Sequence, residues 1–219
     1  MGYIVDWSVV FDNLDIFVKG AFLSLKISAF ALILSIPIGI IIGLGRISRN
    51  KFISLLTSIY VEVFRGVPLL VLLLWIYFVL GSALRLGSYM SAILGLGLYG
   101  AAFIAEIVRA GIQAVPRGQM EAARSSGMTY IQAMRLIILP QAFRKILPPM
   151  ASQFIILIKD SSLVSVIGVM DLTLLGRNIV TTSLRSLEVW TFIAVIYFLM
   201  TFLLSQIIRF FERKYKVAD

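Results

Sequence analysis

The sequence predicts an all-α integral membrane protein with about five transmembrane helices, its N-terminus outside and its C-terminus in the cytoplasm. Three observations carry this. First, 60% of the 219 residues are hydrophobic and only 14% are charged, against roughly 25% in a soluble domain. With a mean hydropathy of +0.98, a water-soluble fold of this size cannot hide its apolar surface. Second, five apolar stretches reach the roughly 20 residues that a helical crossing needs. Third, the basic residues gather in alternate connections, as the positive-inside rule requires.

Residues 1–18 mix Asp6, Asp12 and Asp15 with Trp7, Phe11, Leu14 and Phe17. They lack the basic start and long apolar run of a signal peptide and read as an interfacial amphipathic segment. Span one covers residues 20–45, with Lys26 as its one charge, near enough to the outer end to snorkel. Ala31, Ser35, Gly39 and Gly43 form a small-residue stripe along it, where another helix of this chain or of a second subunit can approach closely. Spans two to five cover residues 55–82, 88–113, 149–169 and 189–211. Arg46, Arg49 and Lys51, then Arg109, Arg117, Arg124, Arg135, Arg144 and Lys145, then Arg209, Arg213, Lys214 and Lys216 place 13 of the 20 basic residues on one side. That side is the cytoplasm. There is no internal repeat, and the chain reads as a single transmembrane domain, residues 1–219. Five spans are few for a complete transporter, so assembly with another copy or a relative is expected.

The formal net charge of +9 is accounted for by those loops, so nucleic acid is not needed as a partner. There are no cysteines and no histidines. Disulfides, a Ser-His-Asp triad and the usual zinc site are therefore excluded. No catalytic residue and no metal site is expected.

The cytoplasmic stretch 115–149 is too long for a plain connection. Glu121-Ala122-Ala123-Arg124-Ser125-Ser126 suits a short helix with an acidic start. Gly127 can supply a left-handed stop. A second short helix runs from Thr129 to about Ile138, with Ile131, Met134, Ile137 and Ile138 as an apolar face, and Pro140 ends it. Such a helix–elbow–helix can dock into a groove of a soluble partner.

Glu121-Ala122-Ala123, Gly127 and Ile137-Ile138-Leu139-Pro140 match, in spacing, the EAA loop of ABC-importer permeases. The runs Glu62–Leu70, Ile104–Ile112 and Lys159–Gly168 resemble further signatures of the permeases for polar amino acids. One departure is visible: Val67 stands where threonine is common in that family. The resemblance implies a type I importer fold in which Glu121, Ala122, Ala123, Gly127 and Pro140 couple to a cytoplasmic ABC ATPase dimer. It also implies a second permease subunit, as homodimer or heterodimer, and an extracytoplasmic amino-acid-binding protein. The chain has no GxxxxGK[ST] phosphate loop, so ATP and Mg²⁺ would be bound by the partner.

Ionisable residues inside spans are functional candidates by default. Glu62 and Arg65 lie about 10–15 Å from the cytoplasmic end of span two, and Lys159 and Asp160 about 15–17 Å from that of span four. Both pairs sit near the middle of a core about 30 Å thick. Arg65 or Lys159 can hold an α-carboxylate, and Asp160 or Glu62 an α-ammonium. Ser161 and Ser162 would complete a substrate site. The alternative is internal neutralisation, Glu62 with Arg65 and Lys159 with Asp160. Glu106 and Arg109, spaced i,i+3, read as an ion pair positioning the next loop. Two midplane acids favour a basic amino acid as substrate. A complete set of midplane charges in one copy favours a homodimer. An ion-coupled secondary transporter or a channel subunit is the competing reading.

Overall fold

The computed structural model describes residues 3–215, with side chains to residue 210. Lys216 and the side chains of Arg213 and Lys214 lie outside the described residues. Every element among the described residues is helical. The α-helices, in order, are α1 (Ser8–Phe11), α2 (Leu14–Arg46), α3 (Lys51–Gly66), α4 (Leu69–Trp75), α5 (Ser88–Gln113), α6 (Arg117–Ser125), α7 (Tyr130–Ala133), α8 (Leu139–Asp160), α9 (Leu172–Ser183) and α10 (Ser186–Tyr215). Four helical runs are long and apolar enough to cross a membrane, and a fifth crossing results if α3 and the run Leu69–Gly81 are counted as one broken span.

Three boundaries differ from the sequence expectation. The stretch 55–82 is not one helix, because the chain leaves helical geometry at Pro68 (φ −57°, ψ 135°). Proline has no N–H to give Phe64 and disfavours helix at the residue before it, and here the expected kink becomes a full break. Pro140 does not end a helix: the chain is helical without interruption from Tyr130 to Ile167. A π-helical turn, Met134–Ile138, comes just before it, and its wider winding relieves the clash a proline ring makes in a regular α-turn. The stretch after span four, expected as a loop, contains α9, capped by the Asp171 side chain accepting from Leu174 N–H at 2.9 Å.

The chain forms two compact units. Among the described residues, the first comprises 3–33, 67–97 and 154–215. Its core joins Val10 and Phe17 to Leu172, Ile179, Val189 and Ile193, with Phe17 edge-on to Phe192 at 5.1 Å. The N-terminal segment is therefore anchored to protein on one side, while Ile4, Trp7 and Phe11 stay exposed. Glu188, fully buried, fastens it by accepting from Tyr3 Oη and from Asp6 N–H. Lys26 lies 6.0 Å from the Tyr89 ring centroid.

The second unit comprises residues 34–66 and 98–153. Here the small-residue stripe finds its partner inside the chain. A Cβ on Gly39 would lie 2.6 Å from Ile104 Cβ, and one on Gly43 would lie 2.7 Å from the Ala105 carbonyl oxygen. α2 and α5 thus touch nearly backbone to backbone. Gly43→Ala is expected to cost about 1–3 kcal/mol by overpacking, since a backbone carbonyl cannot rotate away. The check is thermal unfolding of the purified protein: the midpoint should fall by several degrees, and an unchanged midpoint would mean that this contact is not made.

Candidate functional site

The predicted site residues fall in three places. In the second unit, charges gather around one carboxylate. Glu106, on α5, takes Arg109 as a two-pronged fork, with Nε on Oε2 at 3.1 Å and Nη2 on Oε1. Arg46, the last residue of α2, donates its Nη1 to Glu106 Oε2 as well. Arg65 reaches the same oxygen at 3.8 Å and lies 5.3 Å from the Phe103 ring. Glu62 meets Arg46, at 3.8 Å, rather than Arg65. The inner members are the better covered: the side chains of Arg46 and Glu106 are 13% and 23% exposed, against 40% for Arg65 and 76% for Glu62. The pair read from i,i+3 spacing is real, but it belongs to a five-residue cluster drawn from three helices.

In the first unit, α8 ends at Asp160 and tightens into a 3₁₀ helix, Ser161–Ile167. The cause is local. Ser161, Ser162 and Ser165 each donate a hydroxyl to the carbonyl three residues back, at 2.7–2.8 Å. That bonding competes with the regular α pattern. Gly168, at φ +82°, closes the segment. Lys159 is exposed and Asp160 half-buried. Among the described residues no ion pair within 4 Å involves either one. Ser161 is fully buried. Since both hydroxyl protons are already used on backbone, Ser161 and Ser162 retain only accepting capacity.

The third place is the segment 115–149, also in the second unit. α6 starts at Arg117, after Pro116. Glu121 is thus its fifth residue and not a first-turn acid, which removes the dipole as its reason. It is exposed, as is Ala122, while Ala123 is buried. Gly127 adopts φ +85°, the left-handed stop expected. Met128 N–H reaches the Ala123 carbonyl and Gly127 N–H that of Arg124, both at 3.1 Å, the paired bonds of a Schellman cap. The next helix opens with a capping box: Thr129 N–H donates to Gln132 Oε1 at 2.8 Å and Gln132 N–H to Thr129 Oγ1 at 3.3 Å. Pro140 is exposed, one residue into α8. An open cavity of about 540 Å³ lies among Ile47, Gln113, Met120 and Tyr130.

Sequence reasoning missed Arg46 as a cluster member and Thr129–Gln132 as a capping box. The second had a signal, threonine followed three residues later by glutamine. Arg46 had none, because a basic residue after a span reads first as an orientation marker.

Comparison with known proteins agrees with the resemblance. Residues 35–217 match the model of the family described as binding-protein-dependent transport system inner membrane component. The chain is 40% identical over 208 residues to the probable glutamine ABC transporter permease protein GlnM of Bacillus subtilis, covering 94% of this chain and 96% of that one. It is 36% identical over 215 residues to the glutamine transport system permease protein GlnP of Escherichia coli K12, covering 97% and 98%. Its fold is similar to a chain in the crystal structure of an amino acid ABC transporter with histidines, with a TM-score of 0.91, 40% identity, and coverage of 97% of this chain and 100% of that one.

Proposed function

The chain belongs to the family of binding-protein-dependent transport system inner membrane components, and from that premise we propose that it forms the translocation pathway of an ATP-driven importer for polar amino acids. It is a multi-pass protein of the bacterial inner membrane. As an ABC permease it is not itself an enzyme, and ATPase activity lies in a separate subunit. Membership also implies a binding-protein partner and a second permease subunit.

The N-terminus is outside. Two copies of this chain form the membrane core. Two cytoplasmic ATPases, which bind ATP and Mg²⁺, receive α6 and α7. The observation that carries this is the built elbow at Gly127: a Schellman cap and a capping box back to back hold the exposed Glu121 and Ala122 at the surface.

The substrate is a polar amino acid. Glutamine, named for both curated relatives, is preferred over the basic amino acid suggested by two spare midplane acids. Glu62 is drawn toward Arg46, which leaves Asp160 as the one of these two acids without an ion-pair partner among the described residues. Asp160 then holds the α-ammonium and Lys159 the α-carboxylate, with Ser162 beside them as an acceptor and Ser161, fully buried, behind it. Separately, Glu62 and Arg65, the exposed and loosely held members of their cluster, can engage a passing amino acid.

The test is uptake of labelled glutamine by the complete complex in proteoliposomes, with ATP inside, against a panel of unlabelled amino acids. Asp160→Asn or Lys159→Gln should lower uptake about tenfold or more, the usual cost of losing a charged hydrogen bond, with assembly unchanged. Normal kinetics in both variants would remove the site. Uptake driven by an ion gradient without ATP would remove the importer reading.

A further inference from the structure

Glu106 is not among the residues just assigned to substrate or to ATPase docking, yet it has the most charged neighbours of any acid among the described residues. Its two oxygens receive Arg109 as a fork, Arg46 from the end of α2 and, more loosely, Arg65 from α3. One carboxylate therefore ties three helices. The three guanidiniums have only Glu62 as a second acid, itself 3.8 Å from Arg46 and mostly exposed. Neutralising Glu106 would leave three cations facing one peripheral carboxylate.

The cluster is also wired to the elbow segment within the same unit. Arg109 Nη1 donates to Gln113 Oε1 at 2.6 Å, and Gln113 is the last residue of α5. After three intervening residues α6 begins at Arg117. From α8, Lys145 Nζ holds the Ala114 carbonyl at 2.6 Å. A Cβ on Gly111 would lie 2.3 Å from Ile146 Cγ1, so α5 and α8 are in close contact about one and a half turns from Glu106. From Glu106 to the end of α5 is about 10 Å of regular helix. A displacement of α6 is thus delivered to the end of α5, and from there through Glu106 to α2 and α3.

We propose that Glu106 is a positioning residue of the transport cycle: from α5 it clasps the C-terminal ends of α2 and α3 so that a displacement at α6 moves them together. Without the clasp, ATP hydrolysis continues but is no longer converted into substrate movement. The proposal rests on the importer reading above.

The experiment is the ratio of amino acid transported to ATP hydrolysed by the complete complex in proteoliposomes, for wild type, Glu106→Gln and Glu106→Asp. Glu106→Gln keeps shape and removes charge. It should lower the ratio about tenfold, within the range of ordinary coupling between sites, while hydrolysis stays within about twofold. Glu106→Asp should restore most of the ratio. An unchanged ratio in Glu106→Gln, including a parallel loss of transport and hydrolysis, overturns the proposal and leaves Glu106 a structural ion pair. If Glu106→Gln does not assemble, Arg109→Gln, which removes the fork from Glu106, takes its place, with a drop of about two- to threefold expected, and no drop overturning the idea. A wild-type complex without ATP-driven uptake would instead sink the importer reading.

Discussion

Gly127→Pro is expected to reduce uptake about a hundredfold or more while the membrane spans remain folded. The elbow needs φ +85° at this position, and a proline ring holds φ near −65°. The substitution also deletes the N–H that bonds the Arg124 carbonyl at 3.1 Å. Each defect is severe, and a proline in a position it cannot adopt costs about 3 kcal/mol or more, or roughly two powers of ten. No Cβ clash contributes, because nothing lies within 4 Å of where a Cβ would be. The loss would come from the backbone, through its conformation and its missing N–H. Gly127→Asn is the control: asparagine tolerates the left-handed region and keeps the N–H, so it should retain most uptake. The measurements are uptake and ATP hydrolysis in the assembled complex. Wild-type values for Gly127→Pro would mean that the elbow plays no part in coupling.

Asp171→Ala is expected to lower the stability of the first unit by about 2–4 kcal/mol. Asp171 is fully buried. It caps α9 by accepting from Leu174 N–H at 2.9 Å and takes Tyr197 Oη at 3.3 Å. Loss of a cap costs about 1–2 kcal/mol, and buried partners left short of an acceptor add about as much. For a chain of this size the thermal midpoint should fall by about 5–10 °C. Asp171→Asn keeps the capping oxygen and should stay within about 2 °C. Burial pushes the Asp171 carboxyl above its usual range. A raised folded value means that the favourable contribution is full at low pH and is lost as pH rises through that value. Wild type should show this loss and Asp171→Asn should not. Equal midpoints for wild type and Asp171→Ala would show that α9 does not depend on its cap.

The spans were readable because lipid imposes a composition: the runs at 20–45, 88–113 and 189–211 each became the body of one long helix. Gly127 was readable because left-handed backbone nearly selects its residue. Misreadings came where tertiary structure overrides a local rule. Pro140 stops a regular helix, but the π turn before it has no mark in the sequence. α9 is twelve residues long and carries Arg177, Asn178, Thr181 and Thr182, so it is too short and too polar to read as a crossing. Its Asp171 cap was visible, but a cap without a long apolar run behind it looks like a turn. Spacing put Glu106 beside Arg109, yet Arg46, 60 residues away, entered that cluster through the fold, as did the close approach of Gly39 and Gly43 to α5.

The π turn at Met134–Ile138 has a consequence for the phase of this chain. It holds one residue more than an α-helix would place in the same rise, and one residue is about 100° of rotation. Deleting a single residue there would let α7 and α8 merge into an unbroken α-helix. The Thr129 capping box and the elbow before it would then be swung about 100° around the axis relative to Ala142 and Ile146, which are buried on α8. The extra residue therefore works as a phase shifter: it lets one helical rod keep its buried face where its core needs it while aiming its tip in an independently chosen direction.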